Sequence, residues 1–154
     1  MVNVKARPAV NTLVGYDDDY YLWFNQQAEL LRNGQISAAD LENIAEELED
    51  MGKRELRGLI SAYRLILSHL LKWQFQPERR TNSWKTTIGR ERRKVRDREK
   101  DSPSLRAKIA EILPEAYDDA VVEAADETEL PLATFPAECP WTLNQIRDVD
   151  FLPQ

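Results

Sequence analysis

The sequence predicts an all-α fold: a single-domain helical bundle of about five main helices, closed by a proline-rich C-terminal strap. Three observations predict it. Apolar residues recur at spacings of three, four and seven along most of the 154 residues. Asp, Ser, Asn, Gly and Pro stand where those runs begin and stop. No stretch shows strand-like alternation of convincing length, and there is no internal repeat or low-complexity tract. The chain is 42% hydrophobic and 31% charged, as in soluble globular proteins, and is long enough for one sizeable core.

Residues 1–15 carry Pro8 and Gly15 without periodic apolar pattern and read as a flexible N-terminal arm, leaving 16–154 as the helical domain. Asp17, Asp18 and Asp19 place negative charge where a first helix begins, and Tyr20, Trp23, Phe24, Leu30 and Leu31 share one face. Asn33-Gly34 supplies its stop. A second helix is capped at Ser37 or Asp40, with Leu41, Ile44, Ala45, Leu48 and Met51 as its buried stripe and Gly52 ending or bending it. The third runs from about Lys53 to Gln76, where Pro77 closes it, and its second half is apolar on nearly every face, as a central helix is. The fourth, Thr81 to Lys100, has only Trp84, Ile88 and Val95 as a thin apolar strip. Asp101-Ser102-Pro103 then marks a stop and a new start. The fifth helix reaches about Glu127, with a kink expected at Pro114. Pro131, Pro136, Pro140 and Pro153 define the strap, which holds one short helix from Thr142.

The order Tyr16-Asp17, Trp23, Gln27, then Asp40-Leu41-Glu42-Asn43-Ile44-Ala45-Glu46-Glu47-Leu48-Glu49-Asp50-Met51-Gly52, then His69-Leu70-Leu71-Lys72-Trp73-Gln74-Phe75-Gln76-Pro77 resembles one family closely. So do Ser83-Trp84, Asp101-Ser102-Pro103-Ser104-Leu105, Phe135-Pro136, Cys139-Pro140 and Asp150-Phe151-Leu152-Pro153. It is the bacterial family catalogued as domain of unknown function number twenty-nine. The likeness spans about residues 16 to 153 and departs mildly at Trp141, where a tyrosine is expected. It implies a compact helical domain standing alone. It implies no activity, cofactor or catalytic residue to carry over.

No stretch reaches the roughly 18 apolar residues of a membrane span, and Met1–Gly15 lacks the apolar core of a secretory signal. With Cys139 as the single cysteine, the expected compartment is the cytoplasm. Chemistry is scarce. One histidine, His69, cannot complete a ferritin-like di-metal set, and one Cys with one His is a poor zinc site, so no metal or other cofactor is expected. A mixed carboxylate site would have to use Glu46 or Glu47 with His69. The plainer reading makes His69 a core residue donating to Glu47 or to a backbone carbonyl. Ser68 and His69 are helix neighbours that do not face each other, Cys139 lies in an acidic tail, and the five glycines form no phosphate loop. Nothing here supports an enzyme.

Charge is the uneven property. Net charge is -6, yet Glu78–Lys100 holds ten Lys/Arg against four Asp/Glu. Arg79, Arg80, Lys85, Arg90, Arg92, Arg93 and Arg96 are the candidate binding surface, with Trp73 and Trp84 flanking its approach. Phosphate backbones recruit such charge, so nucleic acid is one candidate partner for residues 79–98; arginine also grips carboxylates, so an acidic protein, including a second copy of this chain, is equally served. Internal neutralisation by Glu46, Glu47 and Asp50 is the bland alternative. The expected function is therefore a non-enzymatic binding or interaction module using the Arg-rich helix, with no membrane role. The alternative is an enzyme or small-ligand protein with a polar pocket of Glu46, Glu47, His69, Lys72, Trp73 and Trp84.

Overall fold

The computed structural model describes residues 12–154. Among them the regular structure is helical, without strands: α1 (Tyr20–Arg32), α2 (Leu41–Phe75), α3 (Asn82–Asp101), α4 (Pro103–Thr128) and α5 (Leu143–Arg147). Residues 1–11 of the expected arm lie outside the described residues. The chain gathers into two compact units, divided between Met51 and Gly52.

In the N-terminal unit, α1 starts where the Asp19 carboxylate accepts the Leu22 N–H at 2.9 Å and stops at Asn33, followed by Gly34 at φ 70°. Only glycine takes that left-handed turn without cost. Asp40 caps α2 by accepting the Asn43 N–H at 3.3 Å, which decides between the two expected caps. Gln27 Oε1 accepts the Asp40 N–H at 2.8 Å, tying α1 to that cap. Gln26 binds the segment ahead of α1, accepting from Val14 N at 2.9 Å and donating to the Thr12 carbonyl at 3.1 Å.

Two expectations about this region are corrected. The second and third helices are one, α2, which passes through Gly52. A glycine inside a helix costs only about 1 kcal/mol against alanine, too little to break a run of good helix formers. The stripe assigned to the core is not buried either: Leu41 is 51% exposed, Leu48 63% and Met51 57%. A helical period marks which side chains share a face, and something must still cover that face. In this unit α1 covers part of it, leaving a groove of about 220 Å³ lined by Trp23, Phe24, Leu31, Ile44, Leu48 and Met51, among others.

The C-terminal unit holds the main core. Leu59, Ala62, Tyr63, Ile66, Leu67, Leu70 and Leu71 are buried, as the all-round apolar run predicts for a central helix. Against them pack Ile88 and Val95 of α3 and Ile109, Ala116, Tyr117, Ala120 and Ala124 of α4. Alanines at 116, 120 and 124 repeat every four residues, so they share a face and let the backbone of α4 approach closely. Ser102 joins α3 to α4 and Pro103 opens α4 at a position where no backbone donor is required. Pro114 sits inside α4 without ending it. The strap is fixed by side chains: Tyr117 Oη donates to the Pro136 carbonyl at 2.8 Å, and Phe75 and Phe135 meet edge to face with centroids 5.4 Å apart. Thr142 and Gln145 cap α5 reciprocally.

Candidate functional site

Helix α3 begins with Thr81, whose hydroxyl accepts the Trp84 N–H at 3.3 Å. Its inner face is Ile88, Glu91, Arg92 and Val95, all buried. Arg92 therefore leaves the basic surface to which the sequence assigned it. It is 3% exposed and donates to three strap carbonyls: Ile146 at 2.8 Å, Phe151 at 2.9 Å and Gln145 at 3.3 Å. Burial pulls its guanidinium below its ordinary pKa, and Asp148 and Asp150 pull it back. Glu91 is held by Arg90 at 2.8 Å and Lys94 at 2.9 Å. Burial pushes the Glu91 carboxyl up, but those two cations outweigh it and leave it below the usual range.

The outer side of α3 carries Arg90, Arg93, Lys94, Arg96 and Lys100, all exposed, with Arg79 ahead of it in a short turn. Arg96 meets the neighbouring Asp97 at 3.1 Å, and Arg98 reaches Glu55 of α2 at 2.6 Å. On one flank the helix borders a cleft of about 490 Å³, lined by Arg92, Val95, Arg96, Glu99, Lys100, Arg106, Arg147 and Val149. The floor is an ordered network. Arg147 donates to the Tyr63 hydroxyl and to Glu99 Oε1, both at 2.8 Å, while Tyr63 itself donates to Glu99 Oε1 at 2.6 Å. Burial and the Glu99 bond raise the Tyr63 phenol well above its ordinary pKa, so it stays a donor.

At the other end, cations meet aromatic rings. Arg80 donates to the Trp73 carbonyl at 2.8 Å and lies 5.0 Å from the Trp73 ring, with Lys85 at 5.2 Å. Lys72 is buried, pairs with Glu127 and sits 5.3 Å from the Trp84 ring. His69 Nδ1 donates to the Leu65 carbonyl at 2.9 Å, the backbone partner that the core reading named. That leaves Nε2 as acceptor for Lys72 at 3.4 Å. Ser68 is buried and its hydroxyl takes no hydrogen-bond partner among the described residues, so the Ser68–His69 pair stays unformed.

Burial, and then the Lys72 charge, hold the imidazole below its ordinary pKa of 6.5. The unfolded chain then takes up a proton near pH 6.5 that the folded chain refuses, so stability must fall as pH drops below that value. The slope cannot exceed about 1.4 kcal/mol per pH unit for one proton. Urea unfolding at pH 7.5 and 5.5 should show the loss, and His69→Gln should flatten that part of the profile. As the single histidine, His69 also gives one ring signal whose NMR titration midpoint must lie below 6.5.

A family model described as "Domain of unknown function DUF29" matches residues 15–152. The chain belongs to that family. No curated protein and no solved structure matches it. The family match spans all five helices of this DUF29 chain and nearly the whole strap.

In this DUF29 chain the members of the expected polar pocket fall into separate arrangements. His69, Lys72 and Trp84 come together, joined by Glu127, and Trp73 takes Arg80 and Lys85. Glu47 is buried and accepts hydroxyl donors from Tyr20 and, at 2.5 Å, from Tyr16. Its bond to Tyr16 is the main cause raising that phenol far above its ordinary pKa. Glu46 is exposed. Cys139 is half-buried, and burial pushes its thiol up, away from a reactive thiolate. The sequence reading missed Glu99, Arg106, Glu127 and Arg147. Two of them had a signal: Arg106 and Arg147 are among only three basic residues in the acidic stretch 101–154.

Proposed function

We propose that this protein is a non-enzymatic interaction module that docks an acidic protein surface on the outer side of α3. The observation that supports this reading is a division of labour on that helix. Part of its charge serves the fold, through the inner Arg92 to the strap and through the outer Arg90 and Lys94, which reach back to the buried Glu91. Arg93, and Arg79 in the short turn ahead of the helix, are exposed and answer to neither demand. A protein partner is favoured over nucleic acid because the chain itself carries a matching acidic face, the exposed Glu111, Glu115, Asp118, Asp119 and Asp126 of α4. The same acidic face in a second copy is the partner surface that this chain itself supplies.

The test is sedimentation velocity at 20 and 500 mM salt (roughly 20 and 4 Å Debye lengths). Arg90 is spared, because reversing it would strand the buried Glu91. The variant is Arg79→Glu with Arg93→Glu, both at exposed sites. Self-association at low salt, lost at high salt and in the variant, is the expected result. A monomer under every condition would remove the second-copy reading. Duplex DNA captured at low salt by the wild type, and not by the variant, would transfer the surface to nucleic acid.

A further inference from the structure

The geometry points to a second site on the flank of that surface: the cleft between α3, α4 and α5 binds a small phosphate-bearing ligand through Arg96, Lys100, Arg106 and Arg147. It goes beyond the docking surface and uses neither Arg79 nor Arg93.

Charge singles the cleft out. Five cations and one carboxylate line this cleft in a chain of net charge -6. The single carboxylate is already committed, since Glu99 Oε1 accepts from both Arg147 and Tyr63 and Oε2 stands 4.0 Å from Arg106 Nε. Two of the cations are explained by folding: Arg92 holds the strap, and Arg147 closes the Tyr63–Glu99 network. Arg96, Lys100 and Arg106 are not. All three are exposed, and Arg96 and Arg106 have side chains 66% exposed, so nothing in the core requires them there. Bringing like charges from separate elements to one hollow costs repulsion that an anion would reverse.

Shape and donor chemistry suit a small phosphate. About 490 Å³ lies within the roughly 300–1,000 Å³ typical of small-ligand pockets and is too confined for a duplex. Guanidinium groups present paired N–H donors that match phosphate oxygens, and a dianion engages several of them where one carboxylate engages one fork. Val95 and Val149 give the cleft an apolar wall beside the cations, suited to an organic portion next to the phosphate. Arg147 is pre-positioned, with Nε and Nη2 fixed by Tyr63 and Glu99, so little side-chain freedom is lost on binding.

The test is isothermal titration calorimetry at low salt with pyrophosphate and ADP as probes. The proteins are wild type, Arg96→Gln, Arg106→Gln and the control Lys108→Gln, which removes the same charge from exposed α4 outside the cleft. One saturable site is expected, weakened at least tenfold by each arginine variant and unchanged by Lys108→Gln, with all circular dichroism spectra alike. Tighter ADP assigns an organic phosphate and tighter pyrophosphate an inorganic one, both of the proposed chemistry. Failure of both probes to saturate, equal weakening by Lys108→Gln, or binding of single-stranded DNA alone would each overturn the site. The Arg79→Glu/Arg93→Glu protein should retain it, so the two readings fail separately.

Discussion

Replacing Arg92 by alanine is expected to lower the unfolding free energy by about 3 kcal/mol, measured by urea denaturation at pH 7. The size follows from what the guanidinium does. It supplies donors to the carbonyls of Gln145, Ile146 and Phe151, which lie more than fifty residues away in sequence. Hydrogen bonds from a charged group contribute roughly 1.5–3 kcal/mol each, and an acceptor left buried without a donor costs about 1–3 kcal/mol. Relief from burying the cation returns part of that sum. Arg92→Lys should recover only a fraction, because a single ammonium cannot reach three carbonyls in the geometry of a planar fork. Loss of the clamp should also show as faster amide exchange in α5 and in residues 148–153. An alanine variant as stable as the wild type would mean that the packing of Phe135, Trp141 and Ile146 and the bonds of Tyr117 and Arg147 hold the strap without the clamp.

The burial of Arg92 was legible in the sequence, and charge obscured it. Ile88, Arg92 and Val95 stand at i, i+4 and i+7, and Glu91 falls between them on the same side, so helical spacing already places both charged residues on the apolar seam. Counting lysines and arginines over Glu78–Lys100 treats them as one surface, whereas the fold sorts them by face. The boundary at Asp101-Ser102-Pro103 could be read locally, because proline fixes its own backbone and lacks a donor. Gly52 could not, since the cost of one helical glycine is small beside the gain from a long helix. The exposed stripe of Leu41, Leu48 and Met51 was also beyond local reading: periodicity gives a face, and cover comes from whatever packs on it. The cleft draws on residues 92–106 and 147–149, and only the chain's path brings those together. His69 was the easier case, because a lone histidine on an apolar helix has its own i-4 carbonyl within reach.

Trp23→Ala should have the largest effect on the N-terminal unit, about 3–5 kcal/mol. Among residues 12–51, Trp23 is the one apolar side chain that is fully buried, at 1% exposure. A small unit with a single anchor has little else to fall back on. The ring meets Tyr16 edge to face at 5.0 Å and Phe24 at 5.2 Å, contacts that add to the area it buries. Its indole also lies beside Asp40, which caps α2; the bonds from Asn43 first, and the Trp23 side chain with them, hold that carboxyl below the usual range. Alanine would thus remove the core of the unit and a polar neighbour of its helix cap together. Amide exchange in α1 is the direct readout, and a loss of 3 kcal/mol corresponds to more than a hundredfold fall in protection. Trp23→Phe separates the two causes. It keeps most of the ring contacts and loses the indole N–H beside Asp40, so protection should fall far less than in the alanine variant. Equal losses in both would place the stabilisation in the indole N–H, and the aromatic cluster would then be cover for a cap.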